Sequence, residues 1–347
     1  MSVDVAEASV HGAREQWNRF VEQSPHGTVF HLPETLDVLA RHSGTEVHRL
    51  VGYRGQEPIG VFPVFEMTKA GVTAVFSPPP GLLIPFLGPA LLNFEKLKRR
   101  KVERRHVRFV EECLAWLESE LGPRYVHLQS SPGYDDLRPF AWNDFTVAPS
   151  YTYRVDLSRH TDDLLQAFSS DARRNIRNAD DGRYAIREGD WRTVRRIADR
   201  VAARYADQGE QYPLSTEFVQ DVYAVLPDGR ARPYECLIDG EFAGGVLTLE
   251  FDDVVFRWQA GTDLDVDLPV NDLLDWHLVA EGSARGRGHY DLVGANTPRL
   301  NDYKAKFAPE LVPFYRAQRG SPDMKLLAAL YRNGLFESLP VPGYSGV

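Results

Sequence analysis

Between residues 233 and 260 the chain alternates apolar and polar side chains in three successive runs, and each reversal is only two residues long. Residues 233–238 lead into Asp239-Gly240, residues 242–251 into Asp252-Asp253, and residues 254–260 complete the set. Period-two alternation marks strands, and an Asp-Gly pair makes a tight hairpin turn. Two-residue links leave no room for a crossover, so these strands are expected to form an antiparallel meander. Residues 271–307 then read as a helix, a strand and a loop. Asn271 is expected to cap the helix, Leu273, Leu274, Leu278, Ala280 and Ala284 recur at helical spacing, and Gly286 can close it with positive φ. Residues 289–293 fit a strand that ends in Gly294-Ala295-Asn296, and strand ends of this kind are where open α/β sheets place their sites.

The remaining pattern sorts into a similar order of elements on both sides of residue 150. In the first half, residues 15–23 and 30–40 read as helices and residues 47–53 and 59–65 as a hairpin, with Pro63 pointing to an edge or a bulge. A strand at 71–76 precedes an apolar, proline-rich loop at 77–89. That loop either lines a cleft or ties two units together. The basic run at 96–106 leads into a helix at 107–120, and 125–129 is a strand. Most basic runs are solvated helix faces, with phosphate contact the minority reading. In the second half come a strand at 151–157, a helix at 162–168, a second helix capped by 169–171 and containing 173–177, helices at 191–205 and 216–226, and the meander. The expected class is α/β, of the α+β kind, with mainly antiparallel mixed sheets flanked by helices. At 347 residues the chain is long for one domain. Units at 1–149 and 150–320 are expected, with a tail at 321–347.

Composition narrows the function. The net charge of −9 argues against broad nucleic-acid binding, so DNA is not an expected partner and any basic patch must be local. No run approaches the length of a membrane span, and the first residues lack a signal-peptide pattern, so a cytoplasmic protein is expected. Cys113 and Cys236 lack metal or redox spacing and are expected as buried thiols. No metal set, phosphate loop or nucleophile elbow occurs.

Several motifs in one order then carry a resemblance. Residues 170–179, SDARRNIRNA, resemble the R-x-x-I-x-x-A helix of the FemAB-like acyltransferases. Trp258-Gln-Ala-Gly resembles that family's aromatic-x-x-Gly strand end, and Pro269-Val-Asn271 its helix start. Gly288-His-Tyr-Asp291 resembles its closing strand, and Tyr303-Lys304-Ala-Lys306-Phe307 its lysine segment. The likeness covers residues 150–320 well and the first half more loosely. It implies two GNAT-like domains and transfer of an aminoacyl or acyl group to an amine of a cell-envelope or sugar-linked precursor. The implied donor is aminoacyl-tRNA or acetyl-CoA, with no tightly bound cofactor. The implied partners are a small-molecule or lipid-linked precursor bearing phosphate, and charged tRNA. A CoA-dependent N-acetyltransferase and a non-catalytic binding module are the alternatives.

Acyl transfer needs a stabilised oxyanion, a proton acceptor and a held substrate. Lys304 is the expected oxyanion or phosphate contact, with Lys306 its competitor, and Asp291 the candidate proton acceptor. Arg173, Arg174 and Arg177 can share one helix face and suit a phosphate; ion pairs to Asp171, Asp180 and Asp181 are the plainer alternative. Tyr205, Trp258, Asn296 and Tyr303 complete the expected substrate contacts. The turn at 261–269 offers one glycine and three aspartates, a poor cradle for a pyrophosphate.

Overall fold

A computed structural model describes residues 3–8, 14–69, 71–179, 182–263 and 265–324. The first half opens with β1 (Asp4–Glu7), α1 (Arg14–Gln23) and α2 (Pro33–Ser43). The hairpin β2 (Glu46–Arg54) and β3 (Glu57–Lys69) follows, then β4 (Val72–Ser77) and the short β5 (Ala90–Leu91). Next are α3 (Arg99–Trp116), β6 (Tyr125–Gln129), α4 (Arg138–Ala141) and β7 (Thr146–Asp156). The second half holds α5 (Thr161–Ala167), α6 (Ser170–Asn178), β8 (Tyr184–Glu188), α7 (Trp191–Asp207) and α8 (Thr216–Val225). The meander is β9 (Ala231–Ile238), β10 (Glu241–Phe251) and β11 (Val254–Thr262). It is followed by α9 (Val270–Ala284), β12 (His289–Asp291), α10 (Pro298–Lys304) and β13 (Glu310–Gly320).

These strands form one mixed, mainly antiparallel sheet in the order β1-β2-β3-β4-β6-β13-β7-β12-β11-β10-β9-β8, with β5 beside β3. Asp239 and Gly240 both take positive φ, the geometry that joins β9 to β10 with the natural strand twist. The passage between the halves runs through β7 itself rather than a linker. β13, which the sequence reading did not pick out, lies between β6 and β7 and pairs antiparallel with both.

Alternation along the strands sorts the core into two faces. On one face α3 packs over the first half, with Phe109 and Cys113 among its buried residues, and α9 packs over the second, with Leu274 and Cys236. Both cysteines are free and buried. The other face holds α1, α2, α7 and α8 around one core that draws on both halves. The loop at 77–89 contributes Leu82, Ile84, Phe86 and Leu87 to that shared core, so it ties the halves together. Pro63 lies inside the sheet rather than at its edge: it faces Arg49 of β2, and on its other side falls between the stretches paired with β5 and β4. Its missing N–H therefore costs no ladder bond. The helix expected from 107 starts at 99, so the basic run is helical from Arg99 onward. Residues 325–347 of the expected tail lie outside the described residues. No helix of the described residues is long and apolar enough to cross a membrane.

Candidate active site

The sheet opens where β11 leaves β12. The two strands pair in parallel only at Val254–Phe256 against His289–Asp291, after which β11 runs on to Thr262 without a strand on that side. Its register with β10 shifts between Leu247 and Thr248, leaving Trp258 as the extra residue. Such a bulge re-aims side chains. Arg257 points to the α9 side, whereas Trp258 and Gln259 both reach the α7/α8 side, to Phe218 and Tyr212.

A buried polar network fills the opening. Arg257 Nε donates to Asp275 Oδ1 at 2.7 Å, and its Nη2 to Asn271 Oδ1 at 3.3 Å. Asn271 Nδ2 donates to Thr262 Oγ1 at 2.8 Å, and the Tyr290 and Tyr303 hydroxyls donate to the two Asp275 oxygens, each at 2.6 Å. Asp275 is fully buried, so an unpaired carboxylate there would be costly; three bonds, from Arg257, Tyr290 and Tyr303, make the burial tolerable. Burial, and then the Asp275 charge, push both phenols well above their ordinary range, so both remain donors. Asn271 therefore does not cap its helix: α9 begins at Val270, with Pro269 in the cap position and no side-chain cap bond. A cavity of about 240 Å³ lies at the mouth, lined by Thr262, Asp263, Asn271, Asp272 and Tyr303 among others.

Beyond β12 the chain is forced into a strained turn. Val293 has φ of +52°, an outlier for a β-branched residue, and Gly294 follows at +85°. Three groups hold it. Asp291 accepts from Val293 N at 2.8 Å, Thr152 accepts from Gly294 N at 3.1 Å, and Lys304 Nζ donates to the carbonyls of Val293 and Gly294 at 2.6 and 2.8 Å. Lys304 is 6% exposed. Burial, followed by the repulsion of Arg257, lowers its pKa from 10.5 to about 8. An ammonium with three donors, two of them spent on carbonyls, keeps one for a ligand.

The comparisons fit this geometry. Residues 166–305 match the family model of an acetyltransferase (GNAT) domain. The crystal structure of FemX superposes with a TM-score of 0.71 at 11% identity, covering 89% of this chain and 96% of that one. The chain shares its fold with FemX, and residues 166–305 are the part that matches a GNAT domain. The C-terminal domain of a putative lysylphosphatidylglycerol synthetase from Agrobacterium fabrum superposes with a TM-score of 0.56 at 14% identity, covering 97% of this chain and all of that one. A tandem GNAT protein from the clavulanic acid biosynthesis pathway gives 0.50 at 14% identity, covering 92% and 99%. No curated protein matches this chain significantly in sequence.

Within this fold, the residues singled out from the sequence separate into groups. Lys304, Asp291 and Tyr303 gather at the opening. Asp291 also accepts from Thr152 Oγ1 at 2.5 Å and Arg154 Nε at 2.9 Å, and it is fully buried, so it serves the turn rather than standing free as a base. Lys306, not Lys304, faces α6: it lies 3.1 Å from Asp171 and over the Tyr303 ring. With Ser169 first and Lys306 second as donors, Asp171 is held at about 2. Arg173 donates from one guanidinium nitrogen, Nη1, to the Gln166 and Phe168 carbonyls. Arg174 and Arg177 are exposed on α6, and Asp180 and Asp181 lie outside the described residues.

Trp258 and Tyr205 lie on the opposite side of the sheet from Lys304. Trp258 is 7% exposed and packs between Phe30 and Phe218 in the shared core, a correction to its reading as a substrate contact. Tyr205 lies against Tyr212, with ring centroids 4.8 Å apart and the rings tilted. Asn296 imitates a strand, accepting from Tyr151 N and donating to Tyr151 O, both at 2.9 Å. Arg257, Asp275, Tyr290 and Thr152 are site residues that the sequence reading missed; a lone arginine within the apolar run VVFRWQAG is the signal that could have found them. Glu46, His48 and Glu66 bring possible metal-ligand atoms within 4.8 Å, but His48 already meets Glu7 and Glu66.

Proposed function

We propose that this GNAT pair transfers an acyl group, in the first instance an aminoacyl group, to an amine of a cell-envelope or sugar-linked precursor. The observation that carries this reading is the parting of β11 from β12, with a buried ammonium held at its edge. A donor carbonyl in the opening would meet the unpaired edge of β11 and the remaining N–H of Lys304. The acceptor amine attacks the carbonyl carbon, a C–N bond forms, and the bond to the leaving oxygen breaks. The amine gives up a proton and the leaving oxygen gains one. Lys304 would stabilise the oxyanion, with Asp291 and Thr152 positioning the turn beneath it.

The mouth favours an aminoacyl donor over coenzyme A. Asp263 and Asp272 both line it, an environment that repels a pyrophosphate and suits an α-ammonium group. Arg200 pairs with Asp263, and Asn175 donates to Asp272 at 2.6 Å, so these carboxylates are fixed in place. In this proposal residues 1–149 form the acceptor-side domain and residues 150–320 the donor-side domain, working in the cytoplasm on a phosphate-bearing precursor. Arg174 and Arg177 remain available to that phosphate.

The test offers the purified chain charged tRNA or acetyl-CoA with amine-bearing envelope precursors. Release of uncharged tRNA with formation of an amide supports the proposal. Consumption of acetyl-CoA alone would replace it with a CoA-dependent N-acetyltransferase, and consumption of neither donor would leave a binding module. Lys304→Met should lower kcat at least tenfold with the melting temperature retained at neutral pH.

A further inference from the structure

The first half of the chain carries a charge distribution that its own stability does not explain. Residues 96–108 hold eight cations and a single carboxylate, in a chain of net charge −9. They form the approach to α3 and its first turns, and the helix has no acidic residue in its first turn and no side-chain cap on Lys98. Cations there oppose the helix macrodipole, which favours negative charge at an N-terminus. Arg100, Arg104 and Arg108 also repeat four residues apart, so like charges stack along one exposed face.

Neighbours do not neutralise this face. Arg99 pairs with Glu103, Arg105 with Glu57 and Arg108 with Glu111. Lys96, Lys98, Arg100, Lys101 and Arg104 are exposed, and no carboxylate among the described residues forms an ion pair with them. Beside the helix stands Trp142, 63% exposed, with the Arg138 guanidinium 5.6 Å over its ring. Arg138 in turn reaches Glu103 of α3 at 3.1 Å, so the indole and the basic face belong to one surface.

We propose that the exposed face of α3, with Trp142 beside it, docks the protein on an anionic lipid surface. The apolar side of α3 is already buried against the sheet, so the helix does not insert; its cations lie on the headgroups. An exposed indole beside basic residues is suited to the boundary between headgroups and acyl chains. The shape of the surface distinguishes this partner from RNA. The basic crest is one helix wide, and Glu95, Glu103, Asp135 and Asp136 line the cavity on its flank. A polynucleotide folding over the crest would bring phosphates onto those carboxylates, whereas a flat bilayer touches the crest alone. This inference goes beyond the acyl-transfer reading and does not rest on it, because docking needs no donor.

Cosedimentation of the full chain with vesicles tests it directly. Vesicles of phosphatidylglycerol mixed with phosphatidylcholine should bind the protein, and phosphatidylcholine alone should not. Binding should be lost in about 1 M salt, where the screening length falls to roughly 3 Å. The combined variant Lys98→Gln/Arg100→Gln/Lys101→Gln/Arg104→Gln should lower partitioning about a hundredfold or more, since each surface cation contributes roughly fivefold. These side chains are exposed, and an unchanged circular dichroism melt checks that the variant folds. Trp142→Phe should remove the fluorescence quenching caused by brominated lipid. Equal partitioning of wild type and the combined variant would overturn the proposal. So would indifference to anionic vesicles, and so would binding to an RNA oligonucleotide without binding to vesicles.

Discussion

Lys304 combines a nearly closed environment with two carbonyl partners, and its acid–base behaviour follows from that position. Its folded pKa, about 8, lies below the ordinary 10.5. Between those values the unfolded chain binds more protons, so folding stability should rise with pH across that window, by up to about 3 kcal/mol. Below pH 8 the full penalty of the buried charge is present. Melting temperatures measured from pH 7.5 to 10.5 should show the rise, and Lys304→Met should flatten it. If Lys304 donates to the oxyanion, kcat should fall as pH passes about 8, the opposite trend to stability. Asp291→Asn tests the turn. It leaves the largely buried Arg154 without its countercharge and should cost about 3 kcal/mol in urea unfolding. Lys304 is legible in the sequence as one of seven lysines, set between aromatic residues. Its surroundings are not legible, because Arg257 finds its carboxylate eighteen residues later and Arg154 finds Asp291 137 residues later.

Among the elements, α3 depends on a pair of glycines. Gly52 and Gly60 are cross-strand partners in β2 and β3, and the Phe109 ring lies directly on both. A Cβ added at Gly60 would fall 2.8 Å from that ring. Gly60→Ala should therefore destabilise the protein by about 1–3 kcal/mol, with partial recovery on adding Phe109→Leu; thermal unfolding of the two variants checks it. The meander was readable because alternation and two-residue turns are local signals. The start of α3 was not, because Arg105 and His106 occupy its inward face and imitate a solvated pattern. Both are satisfied there, Arg105 by Glu57 and the Asn93 carbonyl, and His106 by the Tyr134 hydroxyl at 2.6 Å. Burial is the leading cause that lowers the His106 pKa to about 4, so it stays neutral.

For the whole molecule, the shared core makes the halves interdependent. Phe86 is fully buried, and its ring meets Phe314 at 5.0 Å and Phe256 at 6.1 Å, residues of the seam strand and the meander. Phe86→Ala should cost about 3–5 kcal/mol and lower one calorimetric transition rather than splitting it in two. A first-half loop residue that melted separately from the meander would contradict that. The two-unit organisation is visible in the order of elements, but the seam is not, because a strand's neighbours are set by contacts far apart in sequence. That seam bears on how the chain is made. β13 is the last strand along the described chain, yet it sits between β6 and β7. Until residues 310–320 emerge from the ribosome, β6 and β7 each present an open edge to neighbouring nascent chains. A ribosome stalled before residue 310 therefore leaves two half-sheets whose facing edges have no strand to join them.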